Sequence, residues 1–179
     1  TGVQTCALPI CRLPGTLENQ EIATYINTEF KNNGLEPYKG KNFQSFEVLY
    51  PKKIKNSPYL KVSSSDGNII KDFVYSKDFK EDMLNFKTNN LTFNKSNVKV
   101  IKETYLQINT ATGPFILFVP RDNNLSFRSS FMHDSKYKMY IMITKETLAV
   151  LKNLLNKNCT VDCFIPYEVS EAKINNIMR

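Results

Sequence analysis

The chain has 179 residues, a formal net charge of +7, and 41% apolar and 23% charged residues. This composition is typical of a globular chain and excludes a low-complexity or fibrous one, and no apolar run reaches the roughly 18 residues that a membrane-spanning helix needs. The basic residues are mostly lysines dispersed among acidic residues, which favours a solvated surface over a nucleic-acid-binding one.

The first ten residues, TGVQTCALPI, carry no charge and no amphipathic period, so they lack the features of a targeting segment. The string matches the translation of a widely used sequencing adapter. We therefore interpret residues 1–11 as a non-native segment, to which Cys6 and Cys11 belong, and expect the natural sequence to begin near Arg12.

An amphipathic helix is predicted over residues 17–33. Ile22, Ile26 and Phe30 recur every four residues with Tyr25 beside them, which places all four side chains in one apolar stripe.

Both ends of this helix carry termination signals. Thr16 can accept a hydrogen bond from a backbone N–H of the first turn, and Glu18 suits the positive end of the helix dipole. Gly34 can take the left-handed conformation that closes a helix, with Leu35 available for the contact beyond it and Pro37 preventing its resumption.

Alternation in NFQSFEVLYP predicts a strand with Phe46, Val48 and Tyr50 on one face and a stop at Pro51. SSSDGN then predicts a turn between two β-rich runs, because Gly67 tolerates a positive φ. Further short strands are expected within residues 83–110, in NLTFN and KVIKETYLQIN.

The second half predicts a strand–helix–strand core. The runs 115–119 and 139–143 are continuously apolar, as in strands covered on both faces. TKETLAVLKNLLNKN follows as a helix capped by Thr144, with Leu148, Leu151 and Leu155 aligned and Asn158 placed to end it. CTVDCFIPYEV is expected to form one extended strand. Together the elements predict a mixed α/β fold, rich in strands.

Cys159 and Cys163 remain once the first eleven residues are set aside. On a strand, two cysteines four residues apart are separated by about 13 Å, too far for a disulfide. A Cys-x3-Cys pair without further ligands nearby is also a poor zinc site. Both are expected to be small buried residues.

The acidic pairs in YSKDFKEDM, which include Glu81 and Asp82, are interpreted as a solvated helix start and not as paired catalytic carboxylates. The single histidine, His133, is followed directly by Asp134 and is interpreted as a polar loop residue. Three neighbours such as His-Asp-Ser cannot supply a nucleophile, base and orienting acid with the required geometry. No catalytic, cofactor-binding or metal-binding residue is therefore predicted in the chain.

Three motifs follow one another in the first fifty residues: R-x-P-G-T-x-x-N, Y-I-x3-F-x3-G-L-x-P and Q-x-F. Their residues are Arg12, Pro14, Gly15, Thr16 and Asn19, then Tyr25, Ile26, Phe30, Gly34, Leu35 and Pro37, then Gln44 and Phe46. In this order and spacing they resemble the start of the zinc-dependent aminopeptidases that carry an inserted protease-associated (PA) domain. Asn175, Asn176 and Ile177 stand where the chain of that family returns to the peptidase domain.

The resemblance implies a domain plan. Residues 12–61 would be the leading helix and strand of the peptidase domain, 62–169 a PA-like insertion, and 170–179 the start of the return. The parent would be a bacterial metallopeptidase that uses two zinc ions to remove N-terminal residues from peptides, and an extracytoplasmic or cell-surface location would suit the family.

That family needs two histidines and several carboxylates as zinc ligands, with the first pair in an H-x-D arrangement, whereas this chain has one histidine. The chain is therefore expected to be an inert N-terminal fragment without zinc of its own. The alternative is a complete non-enzymatic α/β module that binds a peptide or protein. A basic nucleic-acid binder forms a third, less favoured class.

Overall fold

The computed structural model describes residues 17–84, 88–126, 130–131 and 135–177, and these form two α-helices and twelve strands. The predicted mixed α/β, strand-rich fold is confirmed. The helices are α1 (Leu17–Asn32) and α2 (Lys145–Leu155). The strands are β1 (Phe43–Lys53), β2 (Tyr59–Ser63), β3 (Ile69–Phe73), β4 (Phe79–Leu84), β5 (Asn90–Phe93), β6 (Val98–Ile101), β7 (Tyr105–Thr110), β8 (Gly113–Phe118), β9 (Ser130–Phe131), β10 (Met139–Ile143), β11 (Thr160–Phe164) and β12 (Tyr167–Ile177).

The chain divides into two compact units. The first takes residues from both ends, up to Tyr50 and from Val169 onward, and the second is the continuous segment Pro51–Glu168. The division falls within β1 and within β12. The peptidase and insertion identities given above to 12–61, 62–169 and 170–179 remain predictions.

In the first unit, α1 ends as its sequence predicts. Gly34 has a φ of 74°, its N–H donates to the carbonyl of Lys31, and the N–H of Leu35 donates to that of Phe30 at 3.0 Å. This pair of bonds is a Schellman motif, which satisfies carbonyls that the helix end leaves open. The expected cap Thr16 lies outside the described residues.

The apolar stripe of α1 is only partly covered. Ile22, Ile26 and Phe30 are half-buried, and Tyr25 is 47% exposed. The helix therefore forms where its period predicts but does not reach the burial of the second unit's core.

Two strand boundaries differ from those predicted. β1 continues through Pro51 to Lys53, and CTVDCFIPYEV forms the whole of β11 and the start of β12 rather than one strand. β1 has β12 as its neighbour in a two-stranded sheet, and an edge strand tolerates proline because its nitrogen need not donate to a ladder. Pro166 lies in the break between β11 and β12.

Two sheets build the second unit. One has the order β6-β7-β8-β10-β4-β9 and the other the order β3-β2-β11-β5. Alternate residues of β2, β5, β7, β8 and β11 are buried, and these side chains form one core cluster with the leucines of α2. Core members include Leu60, Val62, Phe79, Leu91, Phe93, Leu106, Ile108, Phe115, Leu117, Met139, Ile141, Ile143, Leu148, Leu151, Leu155 and Val161.

The short strands and turn of this unit agree with the sequence. Gly67 turns the β2–β3 hairpin with a φ of 81°, and the runs NLTFN and KVIKETYLQIN give β5, β6 and β7. β8 and β10 are neighbours and parallel. α2 then leads from β10 in the six-stranded sheet to β11 in the four-stranded sheet.

The limits of α2 are nearly those expected. Its three predicted leucines are buried and Thr144 caps its start, but it ends at Leu155, before Asn158. Asn158 has the left-handed φ of 54° in the turn beyond the helix.

Replacing Thr144 by alanine is expected to lower the free energy of unfolding by about 1 kcal/mol. The Thr144 hydroxyl oxygen accepts from the Thr147 backbone N–H at 3.2 Å, and alanine leaves that donor without its partner. Urea unfolding of wild type, Thr144→Ala and Thr144→Ser measures the effect. Serine keeps the acceptor, so equal losses in both variants would contradict the capping role.

Candidate functional site

The acidic pair Glu81 and Asp82 lies in strand β4, and its interpretation as a solvated helix start is wrong. Glu81 is 1% exposed and Asp82 is 9% exposed. Phe79, two residues before Glu81, is fully buried, and its packing fixes the strand against the core. Glu81 pairs directly with the core residue Ile141 of β10, whereas Asp82 lines two cavities.

Glu81 accepts hydrogen bonds from two tyrosines within the second unit. The Tyr75 hydroxyl lies 2.8 Å from Oε1 and 2.7 Å from Oε2 of Glu81. Tyr167, the first residue of β12, also bonds to Glu81 through its side chain. The two phenols thus connect the turn after β3 and the start of β12 to β4.

Burial and the carboxylate together raise the tyrosine pKa values. For Tyr75 the largest cause is burial, followed by the hydrogen bond to Glu81 and its charge. For Tyr167 burial is again largest, followed by the charge of Glu81 and then the hydrogen bond. Ionising either phenol would place a second negative charge beside Glu81, so both hydroxyls are held as donors.

Cys163 lies close enough to this cluster to sense its charge. Complete burial raises the pKa of the Cys163 thiol, and the negative charges of Glu81 and Asp162 raise it further. A buried thiol whose pKa is raised is a poor nucleophile, because the thiolate is the reactive form.

The prediction that both cysteines are small buried residues is confirmed, since Cys159 and Cys163 are buried and free. The hydroxyls of Tyr75 and Tyr167 and the thiol of Cys163 thus lie near the buried carboxylate of Glu81.

Asp82 faces two adjoining cavities. One, of about 510 Å³, is lined by Asp82, Phe118, Arg121, Asp122, Asn124 and Met142 among others. The second, of about 370 Å³, is lined by Asp82, Thr104, Tyr105, Ile116, Phe118 and Tyr140 among others. Both lie over strands of the six-stranded sheet, on the face opposite the core. Nothing in the sequence pattern distinguished Asp82 from a surface residue.

His133 and Asp134 lie outside the described residues, so their predicted loop role remains a prediction. Within the described ranges, no three side chains of His, Cys, Asp or Glu group so that they could hold a metal ion. In that same part of the chain, no helix combines the length and apolar character needed to cross a bilayer.

No protein-family model matches the chain, and no curated protein matches it. Among solved structures, an aminopeptidase from Aneurinibacillus sp. strain AM-1 is similar, with 12% sequence identity and a TM-score of 0.45. The similarity covers 91% of this chain and 42% of the aminopeptidase, so this chain spans less than half the length of that protein.

Proposed function

We propose that the chain is the amino-terminal part of a zinc-dependent aminopeptidase whose peptidase domain is interrupted by a PA-like insertion. The observation that supports this most is the division of the chain. The first unit is assembled from both ends of the chain, and the second, Pro51–Glu168, lies between them in sequence. An inserted domain produces this arrangement, whereas two consecutive domains would each be continuous.

The positions of the motif residues in the first unit also support the proposal. Gly34 and Leu35 close α1, and Gln44 and Phe46 lie in β1. At the other end, Asn175 lies in β12, and its side-chain oxygen accepts from the Ser45 hydroxyl at 2.6 Å. The motifs from the start and the end of the sequence therefore meet in one unit.

The described residues do not fit a two-zinc site, since no suitable group of ligands occurs among them. We assign the zinc ligands to sequence outside these 179 residues. In the full-length parent, zinc would activate water for removal of N-terminal residues from peptide substrates.

The chain itself is expected to show no aminopeptidase activity, because one histidine cannot complete a two-zinc ligand set. Release of p-nitroaniline from leucine p-nitroanilide, measured with and without added zinc, tests this expectation. Turnover that requires zinc and stops on chelation would overturn it.

The flanking DNA tests the parent separately. An in-frame continuation past Arg179 that encodes an H-x-D motif and a later histidine would support the aminopeptidase. A natural stop codon directly after Arg179 would contradict it and favour the binding module.

A further inference from the structure

The smaller cavity beside Asp82 is lined with aromatic rings from neighbouring strands. Tyr105 in β7 is paired directly with Phe118 in β8, and Ile116 in β8 is paired with Tyr140 in β10. Directly paired residues point to the same face of a sheet, and diagonal neighbours remain within reach of aromatic side chains. Three rings therefore share one cavity, and all three are only half-buried.

An irregularity in the ladder brings a carboxylate to these rings. Tyr140 pairs with Met83, but the next residue of β10, Ile141, pairs with Glu81. Asp82 is thus the extra residue of a β-bulge. Bulges re-aim side chains and are frequent beside binding sites. Glu81 keeps its place beside Tyr75, while Asp82 lines the cavity.

The smaller cavity has one charged side chain among its described lining residues. Of the described residues that line it, Asp82 alone carries a charge, whereas the larger cavity also contains Arg121. Ring faces attract cations through their quadrupole, and a carboxylate adds to that attraction.

We propose that this cavity binds an organic ammonium group, such as an alkylated amine, with the rings of Tyr105, Phe118 and Tyr140 in contact with the cation. Asp82 also interacts with another group of the chain. In this proposal the rings therefore make the direct contact with the cation, and Asp82 acts on it only through its negative charge. The site is independent of whether the parent is an aminopeptidase, and its ligand class follows from the rings and the charge alone.

Titration with tetramethylammonium chloride tests the site, with tert-butanol as an uncharged probe of similar shape. We expect saturable tetramethylammonium binding with a Kd of about 1 mM and an upfield shift of its methyl proton signal as the cation meets ring faces. Binding should weaken at high salt. Equal affinity for tert-butanol would overturn the assignment to a cation, and absence of saturable binding would overturn the site.

Variants separate the rings from the charge. Phe118→Leu keeps an apolar side chain but removes the ring, and we expect about tenfold weaker binding. Asp82→Asn should weaken binding about threefold and reduce its salt dependence. Phe46→Leu and Asp66→Asn alter an aromatic and an acidic residue outside the cavity and should leave binding unchanged.

Circular dichroism checks that each variant folds, and Tyr105→Leu replaces Phe118→Leu if the latter does not. Unchanged tetramethylammonium affinity in a folded ring variant would overturn the proposal.

Discussion

Replacing Glu81 by alanine is expected to lower the free energy of unfolding by about 3 kcal/mol, because the hydroxyls of two half-buried tyrosines lose their charged acceptor. The Tyr75 hydroxyl spans both carboxylate oxygens, and Tyr167 bonds to the same group. At 1% exposure of Glu81, water has little access to replace the carboxylate. Urea unfolding at neutral pH measures the loss. Asp72→Ala serves as the control: it removes an exposed ion pair with Lys61 and should lower the free energy of unfolding by at most about 0.5 kcal/mol.

A double-mutant cycle distinguishes the hydrogen bonds from simple loss of packing. Tyr75→Phe alone removes one of the hydroxyls that donate to the Glu81 carboxylate and should lower the free energy of unfolding by about 2 kcal/mol. The double variant Glu81→Ala/Tyr75→Phe should lose less unfolding free energy than the sum of the two single changes. The hydroxyl that loses its acceptor in Glu81→Ala is absent from the double variant. Strict additivity would contradict a bonded cluster.

The features that the sequence predicted correctly have local causes. Gly34 and Thr144 each mark a helix end through bonds made within one turn, and Gly67 supplies the φ that its hairpin turn needs. The spacing of Leu148, Leu151 and Leu155 likewise predicts a buried face from one helix alone. Such signals need no knowledge of distant residues.

The features that the sequence missed depend on partners far away along the chain. Glu81 and Asp82 resemble a solvated pair because charged residues are rarely buried without partners, and the partner Tyr167 lies near the other end of the second unit. The β4 bulge arises from pairing with β10, and the tolerance of Pro51 depends on the position of β1 at a sheet edge. No sequence motif marks the cluster around Glu81 or the cavity lined by aromatic rings, so only the fold brings their residues together.

Raising the pH above about 8.5 is expected to destabilise the chain through Cys163, since an unfolded cysteine has a pKa near that value. Burial, and then the charges of Glu81 and Asp162, raise the pKa of Cys163 in the folded protein. Over the alkaline range the unfolded chain loses this proton while the folded chain keeps it. The folded state then binds more protons than the unfolded state, so the free energy of unfolding falls as pH rises. The contribution of Cys163 is complete below about pH 8.5 and declines by about 1.4 kcal/mol per pH unit above it.

Urea unfolding under reducing conditions between about pH 7 and pH 10.5 measures this slope, and the comparison of wild type with Cys163→Ala isolates it. The variant loses a constant amount of stability from the small cavity, so the gap between the two proteins should narrow as pH rises. Cys159→Ala provides the matched control, because it removes the other buried thiol and leaves the slope due to Cys163 in place. Above about pH 10 the raised pKa values of Tyr75 and Tyr167 act in the same direction. A parallel decline of wild type and Cys163→Ala between about pH 8.5 and pH 10 would show that the thiol is not protected by burial beside Glu81.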